Sequence, residues 1–298
     1  MEKYFTIVSD GSCDLPEEIV KEKEIGEVHF LVSFDGKEYK KEGVEIRLED
    51  FYGKMVAESN VFPLTAAPSP NDYYEVFKEK AKEGKDILCI CISTKLSSSM
   101  QSAEIAAKML AEKYPDIQVK IIDSLACTLM QGLYVLEACR LRDLGYTLKD
   151  SIERMNQLTD TQRIFFTVEY LEHGGRIGKV ASIAGKLLNV KPLITLKDGE
   201  IYSPGLKRGR KKSMAGTIDL LLDYMEENGY TPENCSLVIG YCYGYEEAES
   251  FQKMLMQSLE EKFGTTETVP IHRIGATIGV HTGPYAIGIG IIRRSDMV

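Results

Sequence analysis

Two kinds of block alternate along the first half of the chain. Short apolar runs (YFTIVSD at 4–10, DILCICIS at 86–93, IQVKIID at 117–123) read as buried strands. Each is followed by a polar loop and then by a stretch with helical spacing. These helical stretches are EEIVKEKE after GSCDLP, MQSAEIAAKMLAEKY after STKLSSS, and CTLMQGLYVLEACRLRDLG. EVHFLVSF, an Asp35-Gly36 turn and KEYKK predict a hairpin. A helix is expected from about Leu48 to Ser59, and VFPLTAAPSP is expected to be a loop. Ser69 and Pro70 then suit the N-cap and first position of another helix. Strand and helix in alternation predict a parallel α/β layer structure.

The pattern shifts after Thr147-Leu148. A helix over KDSIERMNQLT is followed by a strand (RIFFTV), a Gly-rich loop with a helix (HGGRIGKVASIAGKLLN) and a hairpin (PLITLKDGEIYSP). A basic turn, a long helix, a strand (SLVIGYC), a further helix and a closing strand region complete the chain. Hairpins mixed with helices predict an α+β domain with a mixed sheet. The expected division is residues 1–159 for an N-terminal α/β/α domain and 160–298 for the C-terminal one.

Composition narrows the function classes. The chain has 298 residues, 44% hydrophobic, enough for one large core or two ordinary ones. Its formal net charge of −9 argues against non-specific nucleic-acid binding and against docking on an anionic membrane. The seven cysteines include no Cys-x-x-Cys pair and no zinc-ligand spacing, so buried free thiols are expected. The opening MEKYFTIVSDGS does not have the form of a signal peptide. Residues 274–292 lack charge over a membrane-spanning length, but five glycines and Pro284 break them. Buried strands around a loop are expected there, and a cytoplasmic, non-integral protein.

Several segments could carry chemistry. Residues 93–99 (STKLSSS) lie between a buried strand and a helix N-terminus, where anions bind readily; the same serines could simply cap the helix. In an open α/β sheet, ligands favour that carboxyl end of the strands. Three prolines stiffen the loop around Thr65. Glycines around His281 allow close backbone approach, although a lone histidine is more often structural. His173 to Val180 resembles a phosphate loop, but its Gly-Lys comes a residue early and Val180 replaces the magnesium-binding hydroxyl, so nucleotide binding is rejected. Residues 207–212 (KRGRKK) form a basic cluster in an acidic chain, either a solvated turn or a dock for an acidic partner. No nucleophile elbow, zinc-protease motif or dinucleotide fingerprint occurs.

Taken in order, the chain resembles the DegV family of bacterial lipid-binding proteins. The matching stretches are SDGSCDLP at 9–16, TAAPSP at 65–70, ISTKLSSSMQSA at 92–103, IDS at 122–124, HGGRIG at 173–178, VKPLITLKDGEI at 190–201 and GATIGVHTGP at 275–284. The resemblance implies two α/β domains with a long-chain fatty acid between them, and no cofactor. It implies that Thr65 and Ser97 bind the carboxylate, with the Ser98 amide and His281 alongside; Arg176 matches the family's Gly-Gly-Arg-Ile. It also implies, for some members, service as the acyl-binding subunit of an ATP-dependent fatty acid kinase, with Arg208, Arg210 and Lys211 in a segment that could face that partner. The chemistry would then be the partner's.

The chain departs from the family pattern around this site. Ser98-Ser99-Met100 stands where Gly-Thr-Tyr is common, Ala66-Ala67 replaces Ser-Gln, and Tyr285 follows Gly-Pro where glycine is common. Serine at 98 tolerates positive φ less well than glycine. Two other readings stay open: an acyl hydrolase or transferase using Ser97 and His281, and a kinase-type subunit acting on a small polar ketone.

Overall fold

A computed structural model describes residues 4–58, 60–168, 175 and 190–297. In chain order the N-terminal half comprises β1 (Phe5–Asp10), α1 (Glu17–Glu22), β2 (Gly26–Val28), β3 (Leu31–Ser33), β4 (Lys40–Lys41), α2 (Leu48–Ala57), β5 (Leu64–Ala66), α3 (Pro70–Ala81), β6 (Asp86–Cys91), α4 (Ser99–Ala111), β7 (Val119–Asp123), α5 (Thr128–Asp143) and α6 (Leu148–Leu158). The C-terminal half adds β8 (Arg163–Thr167), β9 (Val190–Lys197), β10 (Glu200–Arg208), α7 (Arg210–Asn228), β11 (Cys235–Tyr241), α8 (Tyr245–Phe263), β12 (Ile271–Arg273), α9 (Ala276–Thr282) and β13 (Ile287–Arg293).

The fold is mixed α/β. A parallel sheet runs in the order β2-β1-β6-β7, and a separate mixed sheet in the order β10-β9-β8-β13-β11-β12. In the first, Val8 lies opposite Cys89 and Cys89 opposite Ile121, so the apolar centres of the three long strands are in register. Both faces of this sheet are covered, which is why DILCIC reads as a continuous apolar run. In the second sheet every pairing is antiparallel except β11 with β12.

Helix α5 joins the two sheets. Thirteen of its residues are buried, on all sides, including the polar Gln131, Glu137 and Arg142. Leu129, Met130 and Leu133 belong to one core cluster that contains Phe5 and Ile7 of β1 together with Val238 of β11 and Ile292 of β13. A Cβ at Gly240 would overlap the Leu129 side chain, so glycine there lets α5 seat directly on β11. Helix α3 begins as its sequence suggests: Ser69 accepts from the Asp72 amide, with Pro70 at the first helical position and Asp72 closing a capping box.

Three segments differ from expectation: EVHFLVSF, expected as one hairpin strand, divides between β2 of the parallel sheet and β3, which alone pairs with β4. Residues 64–66 form β5, which pairs with β3 (Thr65 opposite Val32) in a three-stranded antiparallel sheet with β4. The flanking prolines 63 and 68 suggest a loop but are compatible with a three-residue edge strand. Residues 276–282 form helix α9, not part of a loop between strands. A short apolar run does not distinguish strand from buried helix by periodicity, and anchors distant in sequence decide this one. Among the described residues, no helix is long and apolar enough to cross a membrane. All seven cysteines are free, and all but Cys127 are buried.

Candidate functional site

A cavity of about 140 Å³ opens where the carboxyl end of the parallel sheet meets α9 and the β9–β10 hairpin. Phe30, Ala67, Ile92, Leu96, Ile201 and Ile278 give it an apolar wall. Its polar groups are the hydroxyls of Thr65, Ser97, Ser98, Thr277 and Thr282 and the imidazole of His281. Thr65, Ser97, Ser98 and His281, named from sequence, therefore share one cavity. Thr65 Oγ1 and His281 Nε2 are 3.2 Å apart, although 216 residues separate them in the chain.

Each element places its side chain for a local reason. β3 holds Thr65 through ladder pairing. Ser97 and Ser98 follow β6 and immediately precede α4, a 13-residue helix whose N-terminal dipole favours negative charge nearby. Ser97 Oγ accepts the Ser99 amide at 3.2 Å, so Ser97, rather than the formal N-cap Ser98, serves the helix end. Ser98 has φ −85°, so serine in place of the family's glycine carries no left-handed strain. His281 stands on the last turn of α9, one turn after Thr277.

A polar network behind the serine loop holds it in place. Asp10, fully buried at the end of β1, accepts from Ser12 Oγ (2.7 Å), Gln131 Nε2 (2.8 Å), Tyr73 Oη (3.2 Å) and the Ile92 amide (3.1 Å). Burial raises its pKa, and these donors oppose that rise. Tyr73 Oη also contacts Ser99 Oγ at 2.7 Å, and Asp123 accepts from Thr94 Oγ1 at 2.5 Å. Ser93 Oγ donates to the Gly199 carbonyl at 2.9 Å and ties the loop to the hairpin that supplies Ile201. The SDGS and IDS stretches carry Asp10 and Asp123; their sequence gives no hint that Gln131 and Tyr73 complete the network.

The remaining site candidates fall elsewhere. Arg176 and the Gly-rich loop with its helix lie outside the described residues. Arg208 and Lys211 are exposed at the junction of β10 and α7. Arg210 is instead committed internally: it donates to both carboxylate oxygens of Glu247 (2.8 and 2.5 Å) and to the Tyr285 carbonyl (2.6 Å). That contact fixes the segment after α9.

The arrangement bears on chemistry. His281 Nε2 lies 3.2 Å from Thr65 Oγ1, and Ser97 Oγ accepts a backbone amide. Burial, with a smaller contribution from Asp14, pushes the Cys127 thiol up to about 12, so the cavity's one cysteine is not a thiolate at neutral pH. A second, wider cavity of about 520 Å³ lies across Phe30, with Asp14, Glu27, Glu42, Arg47 and Arg273 on its wall.

The fold and the first cavity define an α/β protein with an apolar pocket polar at one side. The chain belongs to the DegV family: the family's model, described as an uncharacterised protein family, matches residues 4–294. A DegV domain-containing protein of Clostridium acetobutylicum is 33% identical, over 99% of this chain and 100% of its own. Among solved structures, a stearic acid-binding protein from Eubacterium ventriosum superposes with a TM-score of 0.90 at 36% identity, covering 99% of this chain and 100% of that one. A fatty-acid-binding DegV family protein from Thermus thermophilus superposes with a TM-score of 0.84 at 28% identity, covering 97% and 99%.

Proposed function

We propose that this protein binds a long-chain fatty acid, with the acyl chain in the apolar cavity and the carboxylate held by Thr65, Ser97, the Ser98 amide and His281. The observation that carries this reading is the grouping of these donors in a cavity whose other walls are apolar. A carboxylate leaving water needs charge-assisted donors or it becomes protonated. Each buried methylene contributes about 0.8 kcal/mol, so a long chain is held firmly. The ligands named for the Eubacterium and Thermus proteins support the same class of molecule.

The protein is read as a carrier. A partner kinase would transfer the γ-phosphoryl group of ATP to the presented carboxylate, giving an acyl phosphate and ADP. Arg208 and Lys211, exposed beside the α7 N-terminus, are assigned to docking that partner, while Arg210 shapes the surface from beneath. The setting is cytoplasmic, where ATP and acyl metabolism meet. Organic extraction of the purified protein followed by mass spectrometry tests the ligand. A bound long-chain acid at near one per chain is expected. A protein that carries no lipid and binds no added fatty acid refutes the reading.

A further inference from the structure

The wall between the two cavities is the start of α9. Its lipid side presents Thr277, Ile278, His281 and Thr282. On the other side Glu42, 8% exposed, reaches the first turn of the helix. Glu42 Oε2 accepts from the Thr277 amide at 3.0 Å and from Thr277 Oγ1 at 2.5 Å. Gly275 lies so close to the Glu42 and Asp14 carboxyls that a Cβ there would overlap both. Tyr52 Oη lies within hydrogen-bond distance of the Ile274 and Gly275 carbonyls, at 2.9 and 2.8 Å.

A seven-residue helix has little stability of its own, so its orientation comes from such anchors. Thr277 and His281 are four residues apart and therefore lie on one helical face. Whatever fixes the rotation of Thr277 about the helix axis fixes His281 as well. Glu42 is itself held, its amide donating to the Phe30 carbonyl at 3.0 Å.

We propose that Glu42 is a positioning residue for the head-group site: by gripping Thr277 it sets the rotation of α9 and hence the approach of His281 to Thr65. Glu42 touches no ligand in this scheme; it acts through Thr277 and His281. The inference builds on the fatty-acid reading for its functional consequence, but its geometric content is independent of any ligand.

The test uses delipidated full-length protein with Thr277→Val, which keeps the shape and removes the hydroxyl, Thr277→Ser as the conservative rescue, and Glu42→Ala. Two readouts are taken. The first is affinity for stearate against octadecanol, which shares the chain but lacks the carboxylate. Thr277→Val is expected to weaken stearate binding about tenfold, and octadecanol binding less than about twofold, with Thr277→Ser close to the parent. The second is the imidazole NMR signals of the ligand-free protein, tractable with four histidines in the chain. The His281 ring signals should move in Thr277→Val and Glu42→Ala and return in Thr277→Ser. Equal losses for acid and alcohol, or His281 signals unmoved in a folded Thr277→Val protein, overturn the proposal. If the parent binds no fatty acid, the function proposed above fails, and the ring signals still decide whether Glu42 positions His281.

Discussion

Glu27→Gln should stabilise the protein, and only above mildly acidic pH. Glu27 sits mid-strand in β2 and faces the acidic cavity. Burial, followed by repulsion from Glu42, Asp10 and Glu17, pushes its carboxyl from 4.5 to about 7. Asp14 shares the cavity and is raised by burial first, then by Glu42 and Glu27. The nearest base, His29, has Nδ1 3.9 Å away, and burial and Lys41 hold its own pKa below the usual value, so it supplies little positive charge at neutral pH. Because the folded pKa exceeds the unfolded one, the folded chain binds the proton more tightly. Stability associated with Glu27 is therefore complete below about pH 4.5 and is lost as pH rises to about 7. At ~1.36 kcal/mol per pH unit that interval corresponds to about 3 kcal/mol. The Glu27 side chain is 25% exposed, and solvent screening brings the figure nearer about 2 kcal/mol. Glutamine has the same shape, carries no charge and breaks no strong contact. With a urea m-value of ~2–3 kcal/mol per M, the variant's midpoint should lie about 1 M above the parent's at pH 8 and match it at pH 4.5. Urea unfolding at pH 4.5, 6 and 8 measures this directly. A difference independent of pH, or a parent more stable at pH 8, would refute the account of this cavity.

Other changes read out the rest of the site. Thr65→Val removes a donor from the head-group end and should weaken fatty-acid binding by ~1–3 kcal/mol in a titration, with the melting temperature little changed. Tyr52→Phe removes the one phenol proton shared between the Ile274 and Gly275 carbonyls and should lower unfolding free energy by ~1–3 kcal/mol in denaturant. Gly279→Ala drives a methyl into the Tyr52 ring and should destabilise by ~1–3 kcal/mol, with a larger loss of fatty-acid affinity than of stability, because α9 itself shifts. Arg208→Glu with Lys211→Glu should leave lipid binding intact and slow acyl-phosphate formation in a reconstituted kinase assay, whereas Arg210→Ala should also lower thermal stability because Glu247 and Tyr285 lose their shared partner.

The fold was legible where one element carries its own pattern. DILCICIS announces a two-sided strand, and the Ser69-Pro70 start of α3 is written in its cap. Legibility failed where distant groups supply the pattern. β5 is a strand because β3 lies beside it, and nothing in LTA demands that. α9 is a helix because Glu42 and Tyr52 receive its first turn from more than 200 residues away in sequence. A Gly-rich apolar run is compatible with several conformations until those partners are present.

The site divides along the same line. Thr65, Ser97 and His281 each have an ordinary structural explanation when taken singly: a stiff loop, a helix cap and an isolated histidine. Only a resemblance spanning the whole chain joins them, since no local spacing encodes a contact across 216 residues. The residues that hold them were hidden for a different reason. Asp10, Gln131 and Glu42 are polar side chains buried by tertiary structure, and polar letters in a sequence are ordinarily taken as surface. Burying them is costly unless they are satisfied: Asp10 accepts from the Ile92 amide and Glu42 from Thr277, both on the cavity wall, and Gln131 donates to Asp10 behind it. The apolar wall tolerates side chains of similar volume, but these buried bonds fix where Ser97 and His281 stand. If the proposed site holds a carboxylate, its specificity should depend as much on the carboxyls behind the wall as on the hydroxyls in front of it.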